Sequence, residues 1–122
     1  MKKNQFNQSP DELFQKAIKF HQEGKLQKAE ELYLTLTKMV PNHPVILSAF
    51  STVLMQQNKS DLAISYAQKS LDINPQQPDL IFNLGIEYQK LAKLNLALEC
   101  YKKCEGESSN SISLYLLSLI HI

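Results

Sequence analysis

The sequence predicts an all-α fold, a right-handed superhelix of three helix pairs followed by the start of a fourth. Three observations carry this expectation. Between Asp79 and Cys104, Ile81, Leu84, Gly85 and Tyr88 recur at helical spacing, and Ala97 and Tyr101 do so again after a short break. The same residue classes return 34 residues earlier at Leu47, Ser51, Leu54, Ala63 and Ala67, and 34 earlier still at Leu13, Ala17, Phe20, Ala29 and Tyr33. Pro41 and Pro75 keep the interval. Finally, no stretch alternates apolar and polar residues as a half-buried strand does. Each helix pair has an apolar face that only a neighbouring pair can bury, so the chain reads as a repeat array.

Residues 1–9 form a polar tail. Ser9-Pro10-Asp11-Glu12 opens the first repeat, 10–43: Ser9 and Glu12 have capping-box spacing, and Pro10 suits a first helical turn. The first helix runs to about His21–Gln22, and Gly24 supplies the turn. The second extends from about Leu26 to Met39, with Ala29, Leu32, Tyr33 and Leu36 on one face. Val40-Pro41-Asn42-His43-Pro44 ends it and opens the second repeat, 44–77. There a helix through Leu47, Phe50, Leu54 and Met55 closes near Asn58. Ser60-Asp61 is expected to cap the next, with Leu62, Ala63, Tyr66, Ala67 and Leu71 inward. The third repeat, 78–111, begins at Pro78-Asp79, and its second helix runs from about Leu94 to Lys103.

Composition narrows the function. The chain has 122 residues, 43% hydrophobic and 20% charged, which suits one packed domain. Thirteen Lys and Arg against twelve Asp and Glu give a net charge of +1, and so no electrostatic case for nucleic acid. Met1-Lys2-Lys3 runs into amides instead of an apolar stretch, which argues against a signal peptide. No apolar run approaches the roughly 20 residues of a membrane span. Cys100 and Cys104 stack on one helix face, where a disulfide is awkward and two thiols alone make no zinc site. Two buried thiols are expected, in a cytoplasmic setting.

No residues converge for catalysis. His21, His43 and His121 are scattered and none pairs with a second ligand at metal spacing. Glu30-Glu31 and Asp11-Glu12 read as solvated or capping acids. The sequence therefore predicts no enzyme, no cofactor and no metal.

A 34-residue helix-turn-helix period resembles the tetratricopeptide repeat over residues 10–111. Ile81, Leu84, Gly85, Tyr88, Ala97 and Tyr101 follow that pattern, with Ile81 for the usual Trp and Ser109 for the closing Pro. The second repeat departs at Ser51 and Ala67, the first at Lys16. The resemblance implies a non-catalytic protein–protein interaction module. Its concave groove, lined by the first helix of each pair, would hold an extended peptide or a partner helix. By position that groove presents Asp11, Phe14, Gln15, Ile18 and His21, then Val45, Ser48, Thr52 and Met55, then Asp79, Phe82, Asn83, Ile86 and Gln89. Apolar anchors with backbone hydrogen bonds suit this surface. Phe14, Ile18, Phe82 and Ile86 are equally suited to packing between successive first helices. Chaperone-binding members hold a peptide carboxylate with Lys, Asn and Arg; Phe14, Ile18, Ser48, Thr52, Phe82 and Ile86 stand at those places here, so no carboxylate clamp is expected.

A narrower resemblance suggests an alternative. Gly24-Lys25-Leu26-Gln27-Lys28-Ala29-Glu30, with Leu32-Tyr33 and Pro41-Asn42-His43-Pro44, is similar to repeats ahead of bacterial glycosyltransferases related to O-linked N-acetylglucosamine transferase. Similar arrays precede some sulfotransferases. Asn83-Leu84-Gly85 matches a groove asparagine of that transferase, whereas Gln15 and Ala49 break the ladder. On this reading the chain is the substrate-presenting arm of a truncated transferase.

Residues 112–122 read as a partial helix of a fourth repeat. Tyr115 is in phase, but Ser118 falls where Leu is expected and Leu119 where a small residue is needed. Residues 117–122 are what the string CTGTCTCTTATACACATC encodes, and that string resembles the transposon end used as a sequencing adapter. These six residues are therefore expected to be non-native, and the chain a fragment. The competing expectation is a true amphipathic cap.

Overall fold

The computed structural model describes residues 8–105. They form α1 (Pro10–Gln22), α2 (Leu26–Met39), α3 (Pro44–Gln56), α4 (Ser60–Ile73), α5 (Pro78–Lys90) and α6 (Leu94–Glu105). No strand occurs among the described residues. The partial fourth helix expected at 112–122, and the expectation that 117–122 are non-native, lie outside them.

Local sequence explains each boundary. Ser9 caps α1: its Oγ accepts from the Glu12 amide at 3.2 Å, and the Ser9 amide donates to Glu12 Oε1 at 2.9 Å. Pro10, Pro44 and Pro78 open α1, α3 and α5, where an amide would have no intrahelical partner in any case. The turn inside each helix pair is the same object three times. Gly24 (φ 80°), Asn58 (φ 63°) and Ala92 (φ 62°) each adopt the left-handed conformation. The next residue is a lysine whose amide donates back across the turn: Lys25 to Phe20 O at 2.9 Å, Lys59 to Leu54 O at 2.9 Å, Lys93 to Tyr88 O at 2.8 Å. This geometry ends a helix with a single left-handed residue. It also corrects the expected cap at Ser60-Asp61. Lys59 is the N-cap of α4 and makes no side-chain cap bond, because the turn places Ser60 one residue inside the helix.

The chain divides into two compact units, Met1–Pro75 and Gln76–Ile122. In the first, α1 packs on α2, α2 on α3, and α3 on α4. Leu13, Ala17, Leu36, Leu47, Val53 and Leu54 form its core, each at most 1% exposed. Small residues let the backbones approach: Ala17, Ala29, Ser51, Ala63 and Ala67 are fully buried. Leu62, expected inward, is 52% exposed. It precedes Ala63 by one residue, and about 100° of helical rotation turns it away from α3.

The second unit is the pair α5–α6, closed by Leu84, Tyr88, Ala97 and Tyr101. Gly85 is where this pair comes closest. A Cβ there would lie 2.9 Å from Tyr101 Cε1 and 3.1 Å from Cys100 Cβ, so no larger residue fits without movement. Cys100 and Cys104 are free and buried. Burial pushes the Cys100 thiol up to about 11, which keeps it protonated and unreactive at neutral pH.

Candidate functional site

In the first unit Tyr33 forms the floor between α1 and α3. Its ring sits 6.2 Å from Phe14, 6.1 Å from His21 and 6.5 Å from Phe50, and it is 1% exposed. Burial pushes the Tyr33 phenol up to about 12, so the hydroxyl remains a donor. It faces His21 Nδ1 at 3.5 Å, while His21 Nε2 meets Gln56 Oε1 on α3. A carbonyl oxygen only accepts, so Nε2 carries the proton and Nδ1 accepts from Tyr33. His21 thus ties α1 to both α2 and α3.

The second unit repeats the arrangement 68 residues on. Phe82 lies 5.4 Å from the Tyr101 ring, and the Tyr101 hydroxyl donates to Gln89 Oε1 at 2.8 Å. Phe, Tyr and a polar acceptor therefore form one recurring set. Its signal in the sequence is the pairing of His21 with Tyr33 and of Gln89 with Tyr101 at equal spacing, which the apolar pattern alone overlooks.

Of the residues expected to line a groove, Gln15 is exposed, and Phe14, Ile18, Ser48, Thr52, Phe82, Asn83 and Ile86 are half-buried. Met55 is 7% exposed and contributes little surface. Phe14, Ile18, Ser48, Thr52 and Met55 belong to the first unit; Phe82, Asn83 and Ile86 belong to the second. The Thr52 hydroxyl is spent on its own helix, donating to Ser48 O at 3.0 Å.

Glu30 receives Gln57 Nε2 and binds Lys59 Nζ through both oxygens, at 2.9 and 3.2 Å, joining α2 to the α3–α4 turn. Burial alone would raise its carboxyl, but the hydrogen bonds from Lys59 and Gln57 and the Lys59 charge outweigh it and hold the group below its ordinary range. Glu30 was expected to be a solvated acid; the turn brings Gln57 and Lys59 to it across 27 and 29 residues, which the sequence pattern does not show. Glu87 in the second unit is buried with Lys90 Nζ 3.0 Å away. Among the described residues no cluster of three His, Cys, Asp or Glu side chains could hold a metal ion. None of the described helices is long and apolar enough to cross a membrane.

A profile of the tetratricopeptide repeat family matches residues 46–77 and 78–110. The protein named cellulose synthase operon protein C from Pseudomonas fluorescens (strain SBW25) is 30% identical over 80 residues, which cover 66% of this chain. The chain spans 6% of that relative's length. Among solved structures, the first TPR of Spaghetti (RPAP3) bound to the HSP90 peptide SRMEEVD superposes with a TM-score of 0.81 at 19% identity, over 92% of this chain and 90% of that one. The Sgt2 TPR domain from Aspergillus fumigatus gives 0.77 at 20% identity, over 92% and 77%. At these identities the structural likeness is one of fold.

Proposed function

Because the chain belongs to the tetratricopeptide repeat family, we propose that it is a non-catalytic interaction module that holds a peptide or partner helix against the first helices of its repeats. The observation that carries this reading is the seam over Tyr33. Phe14 on α1 lies half-buried beside the Tyr33 ring, which is 1% exposed, and Ile18 on α1 and Ser48 and Thr52 on α3 are half-buried as well. A rigid floor with partly exposed apolar side chains favours binding, since little conformational freedom is lost when a partner settles on it.

The partner is a protein or peptide and engages no carboxylate clamp. Phe14, Ile18, Ser48, Thr52, Phe82 and Ile86 offer no cation to a terminal carboxylate. The HSP90 peptide SRMEEVD is a ligand of the Spaghetti domain, and it is not proposed for this chain. A near-neutral net charge argues against nucleic acid, and the two buried free thiols favour a cytoplasmic protein.

The test begins with a peptide selected on the full chain. Phe14→Ala should weaken a peptide held by the first unit about tenfold or more, the scale of an interface anchor. Circular dichroism checks that the helices persist. Unchanged affinity in the folded variant would sink the groove assignment. The competing reading, a presenting arm of a transferase, is decided by whether the source gene encodes a catalytic domain downstream.

A further inference from the structure

The first and third repeats build the same three-residue set, and the second abandons all three members together. Phe14 and Phe82 become Ser48, His21 and Gln89 become Met55, and Tyr33 and Tyr101 become Ala67. The rings that α3 and α4 retain, Phe50 and Tyr66, pack against each other at 4.5 Å instead, with Phe50 3% exposed. Beside Gln56, which meets His21 of α1, the half-buried residues of α3 are small: Ser48, Ala49 and Thr52.

Moreover, α3 carries no charged residue from Pro44 to Gln56. Its Ser51 and Thr52 hydroxyls both donate to Ser48 O, at 2.8 and 3.0 Å. The donors left for a ligand are the Ser48 hydroxyl and the Gln56 amide, whose carbonyl is already held by His21. On α1, the one formal charge among the side chains expected to line the seam is the exposed Asp11.

We infer that the seam between α1 and α3 takes an extended peptide with an apolar side chain against Ser48 and Thr52, no carboxylate there, and a Lys or Arg toward Asp11. This rests on the groove reading above and narrows it to one chemistry. A carboxylate brought against α3 loses water and meets no cation on that helix, whereas an apolar side chain gains contact with Phe14 and Ile18. A basic residue finds its complement in Asp11. Acidic peptides are excluded by an unpaired charge, without any steric block.

The full chain is panned against a random peptide library. Selected peptides should be rich in Leu, Ile, Val or Phe, carry Lys or Arg, and lack Asp and Glu at the anchor. An acidic consensus overturns this inference and leaves the groove reading standing. Failure to select any peptide that Phe14→Ala weakens overturns both. Replacing the anchor of the leading peptide by Glu should weaken binding about tenfold or more, the scale of an uncompensated buried polar group. Thr52→Lys should recover most of that loss for the Glu peptide. Val45→Lys, at a residue 53% exposed on the same helix, is the second variant where the first does not fold. Equal binding of the Glu peptide by the parent, or no recovery in a folded lysine variant, overturns the inference.

Discussion

Cys104 Sγ donates to the carbonyl of Pro78 at 3.4 Å, and Ser70 Oγ donates to the carbonyl of Pro44 at 2.8 Å. The two bonds are one feature, repeated after 34 residues: the end of a second helix is tied to the first residue of the helix before it. In the first repeat Leu36 stands there and can only pack. A thiol is a weak donor and a hydroxyl a good one, so Cys104→Ser should keep the bond and strengthen it. Ser70→Ala should lower stability by about 0.5–1.5 kcal/mol, the net scale of one hydrogen bond. Urea denaturation of both variants checks this: Ser70→Ala should lower the midpoint, and Cys104→Ser should leave it unchanged or raise it.

Two of the three left-handed turn residues give opposite expectations. Ala92 holds φ 62° with a side chain that disfavours it, so Ala92→Gly relieves strain of roughly 1–2 kcal/mol, offset in part by glycine's greater chain entropy. A net gain of up to about 1 kcal/mol is expected. Gly24 has nothing within 4 Å of where a Cβ would be, yet φ 80° alone should make Gly24→Ala destabilising by about 1 kcal/mol. Thermal melts of the two variants should shift in opposite directions.

Close packing sets a third expectation. Gly85→Ala drives a methyl group to within 2.9 Å of the Tyr101 ring and 3.1 Å of Cys100 Cβ. Ala63→Phe overfills the equally closed α3–α4 contact, where Ala63 is 0% exposed. Each should cost on the order of 1–3 kcal/mol, read as a lower melting temperature.

Glu30 gives the pH dependence. Its carboxyl is lowered in the folded chain relative to the ordinary 4.5, so the ionised form stabilises the fold. That contribution is complete above the ordinary value and is lost as the pH falls through the lower, folded one. The Lys59 side chain is 41% exposed and screened by water, so Glu30→Gln should cost at most about 1 kcal/mol at neutral pH. The gap between parent and variant should close as the pH drops below 4.5. A gap that stays constant across an acid titration would remove Lys59 and Gln57 as the cause.

Much of the fold was legible because a 34-residue period samples each helix pair three times, so errors at one copy are corrected by the others. Ala29, Ala63 and Ala97 announce the close contacts by being small in phase. What stayed hidden depends on side chains meeting across the period. The Glu30–Lys59 pair spans 29 residues, and neither partner is unusual by itself. Leu62 was misread because hydrophobicity alone does not tell an inward residue from its neighbour on a helix flank. The candidate site was legible only as a set of places. That Tyr33 and Tyr101, each in its own unit, hold a polar side chain from the helix before them emerged from the ring and hydroxyl geometry.

The uncharged helix α3 also has a consequence for how the chain is made. Val45 to Met55 combines β-branched, aromatic and aliphatic residues without a single charge, the composition that pairs into intermolecular sheets when left in water. Alongside α2, its cover is α4, which begins only four residues after α3 ends. During synthesis that interval is brief and the closing contacts are local, so the hazard passes as soon as Ile73 has emerged. A chain cut between Gln56 and Ser60 keeps the hazard and loses its cover, and should precipitate where one ending after Pro75 stays in solution.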